Sequence, residues 1–155
     1  MATKFTALIL GILLLAGGAN ADDKLNVSVT HPWLALLVSF IGGPEVNVTA
    51  IRIWNDKGDL VMAERGKTLR EIPDGTKIIA LDENDAKDSG IKSAKKFTVK
   101  YLYSPFPVST NSLYDPSVIP FVAQRVLTAL SEWDSQNYPY YQRRLAECPC
   151  LIMSF

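Results

Sequence analysis

The chain carries one imidazole, His31, placed between the alternating run Leu25-Asn26-Val27-Ser28-Val29-Thr30 and the step Pro32-Trp33. An imidazole there has two uses. It can hydrogen-bond backbone where a helix starts, or it can ligate a metal, because the positive end of a helix favours the neutral ring. Alone it completes neither a His-rich structural zinc site nor a two-histidine helix motif. Nucleophilic catalysis needs a base beside a nucleophile, and no nucleophile elbow accompanies His31. Asp82, Glu83 and Asp85 could pair as carboxylates, yet an acidic stretch after a strand reads first as a solvated loop. Gly66-Lys67-Thr68 ends like a phosphate-binding loop, but the position five residues before Gly66 is Val61, not glycine. It reads as a turn. No G-x-G-x-x-G follows a strand, so the dinucleotide fingerprint is missing. Asn26-Val27-Ser28 and Asn47-Val48-Thr49 match the glycosylation sequon but fall in predicted strands. The two cysteines, Cys148 and Cys150, stand two apart, where a bond would close a strained ring. Nothing meets the nucleophile-plus-base test, and no enzyme is expected.

Composition narrows the partners. In 155 residues, 48% are apolar and 21% charged, the make-up of one globular unit. Sixteen basic and sixteen acidic side chains cancel. No basic groove is available to neutralise phosphates, and nucleic acid is not an expected partner.

The elements that must position these residues alternate in type. Leu25 to Thr30 suits a strand. Pro32 fits the first turn of a helix, where no donor is needed. Leu34, Leu37, Val38 and Ile41 continue at helical spacing, and Gly42-Gly43 ends the helix. Val46 to Ile53 is β-rich again, so the first 30 residues of this region form a βαβ unit with parallel strands. After the turn Asp56-Lys57-Gly58, the spacing predicts a bent helix over Leu60 to Ile72. A third strand follows over Lys77 to Leu81, then loop or weak helix over Asp82 to Lys96. A fourth strand runs from Phe97 to Tyr103. Asp115-Pro116 reads as a helix start, with Val118, Val122, Val126 and Leu130 on one stripe. Asp134-Ser135 caps a last helix to about Glu147. The expectation is a single α/β lobe with a four-stranded, mostly parallel sheet flanked by helices and Val27, Val29, Val48 and Ile79 in its core.

The first 21 residues read as an address. Lys4 precedes the apolar run Phe5 to Gly18, and Ala19-Asn20-Ala21 offers small residues for cleavage. The run is too short for a membrane span of about 20 apolar residues. Residues 1–21 are therefore a signal peptide, 22–147 the lobe and 148–155 an atypical tail.

With those elements in place the chain resembles a known family. Val27-Ser28-Val29-Thr30-His31-Pro32 leads into a helix ending Ile41-Gly42-Gly43-Pro44-Glu45-Val46-Asn47-Val48. Leu113-Tyr114-Asp115-Pro116 then opens a helix to Leu130-Ser131-Glu132-Trp133-Asp134, followed by Tyr138 to Leu145. This is similar to the amino-terminal lobe of the periplasmic, cluster-9-type metal-binding proteins that feed zinc or manganese to ABC transporters. The resemblance implies an exported solute-binding protein, a divalent metal as its solute, a membrane permease as its partner, and a periplasmic or secreted location. Family members carry a histidine in a Pro-His step after the second strand, where this chain has Trp54-Asn55-Asp56-Lys57-Gly58. They carry another before the Asp-Pro step, where Asn111 stands. The family's two-lobed length implies that this chain is one truncated lobe. A bound ion is expected near His31, Asn55, Asp56 and Asn111, because these follow predicted strands at one sheet edge. The alternative is an exported, non-enzymatic interaction module on the same fold, dimerising through Trp133, Tyr138, Tyr140 and Tyr141.

Overall fold

The computed structural model describes residues 24–63, 75–91, 96–103, 115 and 117–148. The predicted signal peptide and Asn111 lie outside them.

The β-branched run after Lys24 forms β1 (Leu25–Val29), and Pro32 opens α1 (Pro32–Gly42). Gly42 and Gly43 then perform separate tasks. Gly43 adopts φ 53°, a backbone that residues with a Cβ rarely take, and a Cβ there would run into the Tyr140 hydroxyl. Gly42 stays helical, but a Cβ on it would sit 2.5 Å from the Val46 side chain. The chain can therefore turn directly into β2 (Val46–Ala50), which pairs parallel with β1 from Leu25↔Val46 to Val29↔Ala50.

Val46 to Ile53 is not one strand. Ile51 is buried and its amide still donates to the Val29 carbonyl at 2.8 Å. Beyond it β3 (Arg52–Trp54) leaves the sheet and pairs antiparallel with β4 (Leu60–Met62). The helix predicted over Leu60 to Ile72 is thus a strand where it is described, and 64–74 lie outside the described residues. The reason is local. Asn55 Oδ1 accepts the amides of Lys57 at 2.9 Å and Asp59 at 2.8 Å, and Gly58 turns at φ 82°. The chain is folded back on β3 before a helix can start.

β5 (Lys77–Ala80) pairs parallel with β1, and β6 (Thr98–Tyr101) pairs parallel with β5. The main sheet has four strands, all parallel, in the order β2-β1-β5-β6. α2 (Glu83–Asp88) lies between β5 and β6. α3 (Ile119–Trp133) and α4 (Tyr138–Ala146) close the described chain. α3 starts later than Asp115-Pro116 predicts. Asp115 Oδ1 instead accepts the amide and hydroxyl of Ser117, and the Val118 amide bonds the Asp115 carbonyl at 3.0 Å, which makes a separate turn before the helix.

Alternation along the strands builds two cores. Leu25, Val27, Val29 and Ile79 face α1, α3 and α4, packing with Leu34, Val38, Ile41, Val126, Leu130 and Tyr141. Val48 is partly buried against the same cluster. Ile51, Ile78 and Ala80 face the other way and are covered by Ala86, Ile91 and Phe97. The aromatic set read as a dimer surface is mostly consumed in this packing. Tyr141 is fully buried, and Tyr140 and Trp133 pack against the first core, leaving Tyr138 exposed. Cys148, expected to avoid a strained bond, is buried and disulfide-bonded; Cys150 lies outside the described residues.

Candidate functional site

In an open α/β sheet, the crevice for a ligand opens at the carboxyl ends of strands where successive connections leave for opposite faces. Here that point lies between β1 and β5. The chain leaves β1 into α1 on the face of the large core, and leaves β5 into α2 on the other. Thr30 and His31 end the first route, and Leu81, Asp82 and Asp85 begin the second. All five are buried.

His31 is the N-cap of α1. Its backbone is extended, and its Nδ1 accepts the Trp33 amide at 3.2 Å. The helix-start contact that the sequence offers as one use of this residue is present. It has a chemical consequence. A neutral imidazole has one lone-pair nitrogen, and with Nδ1 accepting, the proton resides on Nε2. Ligation through Nε2 requires that proton to move and the cap to be surrendered. Burial pushes the His31 pKa down; the Asp85 carboxylate pulls it up, and the Arg52 guanidinium lowers it further. Trp54 meets the ring edge-on, with centroids 5.4 Å apart.

The surprise at this edge is ionic. Arg52, the first residue of β3, reaches into the crevice. Its Nε donates to the Thr30 carbonyl at 2.9 Å, and Nη2 pairs with Asp85 Oδ1. Asp85 Oδ2 accepts from the Thr30 hydroxyl and, at 2.9 Å, from the Leu81 amide. Asp82 caps α2 by accepting the Asp85 amide at 2.8 Å. The acidic stretch is therefore no solvated loop. Of its three carboxylates only Glu83 faces water. A buried charge is tolerated when paired and hydrogen-bonded, and this carboxylate accepts from three donors.

Two signals mark this cluster in the sequence. Arg52 is the lone charge in the β-rich run Val46 to Trp54, next to the apolar Ala50-Ile51 and Ile53, and a charge that is buried must find a partner. Asp82-Glu83-Asn84-Asp85 after a strand is the spacing of an N-cap and its third helical residue. Nothing in the sequence says that Arg52 and Asp85, 33 positions apart, are each other's partner.

Of the expected ligand residues, the fold brings His31 and the base of the ribbon together through Trp54. Asn55 and Asp56 lie in the β3–β4 turn, where the Asn55 carboxamide oxygen is taken up by the two turn amides. Asp56 is exposed. Among the described residues, no three His, Cys, Asp or Glu side chains converge as a metal site. The cation nearest the switch point is the protein's own guanidinium.

No family model and no curated protein matches the chain. Solved structures do match. They include a structure of ZnuA, at 16% identity and TM-score 0.59 over 81% of this chain and 53% of that one. They include AdcAII of Streptococcus pneumoniae, at 18% identity and TM-score 0.58 over 81% and 52%. The Zn(II)-bound ZnuA-like domain of Streptococcus pneumoniae AdcA matches at 15% identity and TM-score 0.56 over 80% and 50%. The likeness is one of fold. The chain spans about half the length of the first two structures.

Proposed function

We propose that this chain is a lobe of an exported solute-binding protein that serves a divalent-metal ABC importer, and that it is not an enzyme. One observation carries the reading: the parallel order β2-β1-β5-β6 with its flanking helices has the fold of zinc-bound solved structures over four-fifths of the chain. The apolar run after Lys4, ending Ala19-Asn20-Ala21, supports export to the periplasm or outside the cell, with a membrane permease as the partner.

The residues at the carboxyl edge limit how the solute is held. Zinc favours nitrogen and sulfur donors, and the only imidazole is engaged as a helix cap. Of the oxygen donors expected as ligands, Asp56 is exposed in the ribbon turn, the Asn55 carboxamide oxygen is taken up by two turn amides, and Asn111 lies outside the described residues. Such a donor set suits a harder ion such as manganese and stays open to water.

Calorimetric titration of zinc and manganese into the chain beginning at Asp22 tests this. The expected result is weak binding of either ion, lost on dialysis and further weakened by Asp56→Asn. Zinc retained through dialysis would show a complete nitrogen or sulfur donor set that this reading lacks. No heat from either ion would leave the fold without metal as its solute.

A further inference from the structure

Among the described residues, the β3–β4 ribbon has few ties to the lobe. A two-stranded hairpin is marginal in water by itself, and this one buries few of its side chains. Ile53, Trp54, Val61 and Met62 are all exposed by about two-fifths of their surface. Its described ties to the lobe fall near its base. The Ile51 amide holds the sheet through Val29, the Ala63 amide returns to the Ile51 carbonyl at 3.0 Å, and Trp54 leans on His31. The strongest tie is Arg52, whose guanidinium fills the switch point between β1 and β5.

We propose that the ribbon is a lid on the switch-point crevice, hinged at Ile51, and that Arg52 is the positioning residue that holds it shut by occupying the crevice between Thr30 and Asp85. Opening requires that the guanidinium withdraw and that Trp54 leave the His31 ring. Behind the guanidinium remain the Thr30 carbonyl and the Asp85 carboxylate; the carboxylate keeps the Thr30 hydroxyl and the Leu81 amide, and water replaces the guanidinium as the ribbon lifts. The crevice floor therefore survives opening, and the sheet does not depend on the ribbon, since β1 keeps β2 and β5 as neighbours. Units with little buried apolar surface and an exposed hydrogen-bond ladder are those that open below the global unfolding free energy. This inference concerns the lid alone, independently of the solute proposed above.

Native-state hydrogen exchange on the full chain, without metal, reads the lid because a two-stranded ribbon lifted from the lobe is marginal in water and frays. In the unsubstituted protein the amides of Asn55 and Ala63, bonded to Asp59 and Ile51, are expected to exchange faster than that of Leu102, bonded to Ala80, and to do so independently of low urea. Arg52→Met is expected to accelerate Asn55 and Ala63 by about a hundredfold, from the loss of a buried ion pair; an amide that opens only with global unfolding gains the same factor, so Asn55 and Ala63 stay faster than Leu102. Arg52→Lys, which keeps the charge but loses the fork of donors, should fall between. Should Arg52→Met fail to fold, the unsubstituted protein and Arg52→Lys still decide. The lid is overturned if Asn55 and Ala63 exchange only through global unfolding, or if Arg52→Met and Arg52→Lys leave their rates unchanged. In either case Arg52 would not be what holds the ribbon down.

Discussion

The single imidazole has one structural duty, and its chemistry makes that duty pH-dependent. Nδ1 of His31 accepts the Trp33 amide, so a protonated ring would set one N–H against another inside the protein. The folded-state pKa is lowered, mainly by burial. The unfolded chain therefore takes up a proton first as pH falls. Stability is full above the unfolded value of about 6.5 and declines as pH drops through it toward the lower folded value, then levels off. Urea melts between pH 8 and pH 5 should show this decline, and His31→Asn, which keeps an N-cap acceptor but does not titrate, should flatten it. A slope unchanged in the variant would assign the decline to other groups. Gly43 is as specific. Gly43→Ala places a Cβ at φ 53° and against Tyr140, and should cost roughly 2 kcal/mol or more by thermal or urea unfolding.

Partly buried polar groups tie the helices of this protein together. Where α3 meets α4, Asp134 Oδ2 accepts from Asn137 Nδ2 at 2.9 Å and from the Tyr141 hydroxyl at 2.5 Å. Burial and the Asp134 carboxylate both push the Tyr141 pKa up, so the phenol remains a donor at any ordinary pH. α4 is also tied to α1: Arg144 Nε donates to the Phe40 carbonyl at 3.1 Å, and its guanidinium lies 4.6 Å from the Phe40 ring centroid. Asp134→Ala leaves a buried hydroxyl without its acceptor and is expected to cost about 1–3 kcal/mol, whereas Tyr141→Phe removes the donor itself and should cost about 1 kcal/mol. A double-mutant cycle checks this, with the double variant close to Asp134→Ala alone. Simple additivity would show that the two side chains do not act together.

Across the whole molecule, two cores on opposite faces of one parallel sheet leave the switch point between β1 and β5 as the place where a solute would be met. This chain fills it with Arg52. The proposed export predicts processing after Ala21, so amino-terminal sequencing of protein recovered outside the cytoplasm should begin at Asp22. Intact Met1 on that material would count against a cleaved signal. Concentration series by analytical ultracentrifugation bear on the aromatic dimer. With Tyr141 buried and Tyr140 packed on Gly43, Tyr138→Ser should leave the oligomeric state unchanged.

Local signals were legible in the sequence because they act over a few residues. Alternation puts Leu25, Val27 and Val29 on one face of β1, Pro32 and Gly43 bound the first helix, and a βαβ span of this length leaves parallel pairing as the natural solution. His31 at a helix start could be read the same way. The tertiary structure decided what depends on residues far apart in the chain. Leu60 to Met62 carries apolar residues that fit a helix or a strand equally, and the Asn55 turn and its pairing with Arg52 to Trp54 settle it as a strand. Asp85 looked like a solvent-facing carboxylate because sequence shows charge but not distance. Only the convergence of β1, β3 and β5 brings Arg52, Thr30 and the Leu81 amide to it, and a buried carboxylate is stable only where all of those donors arrive together.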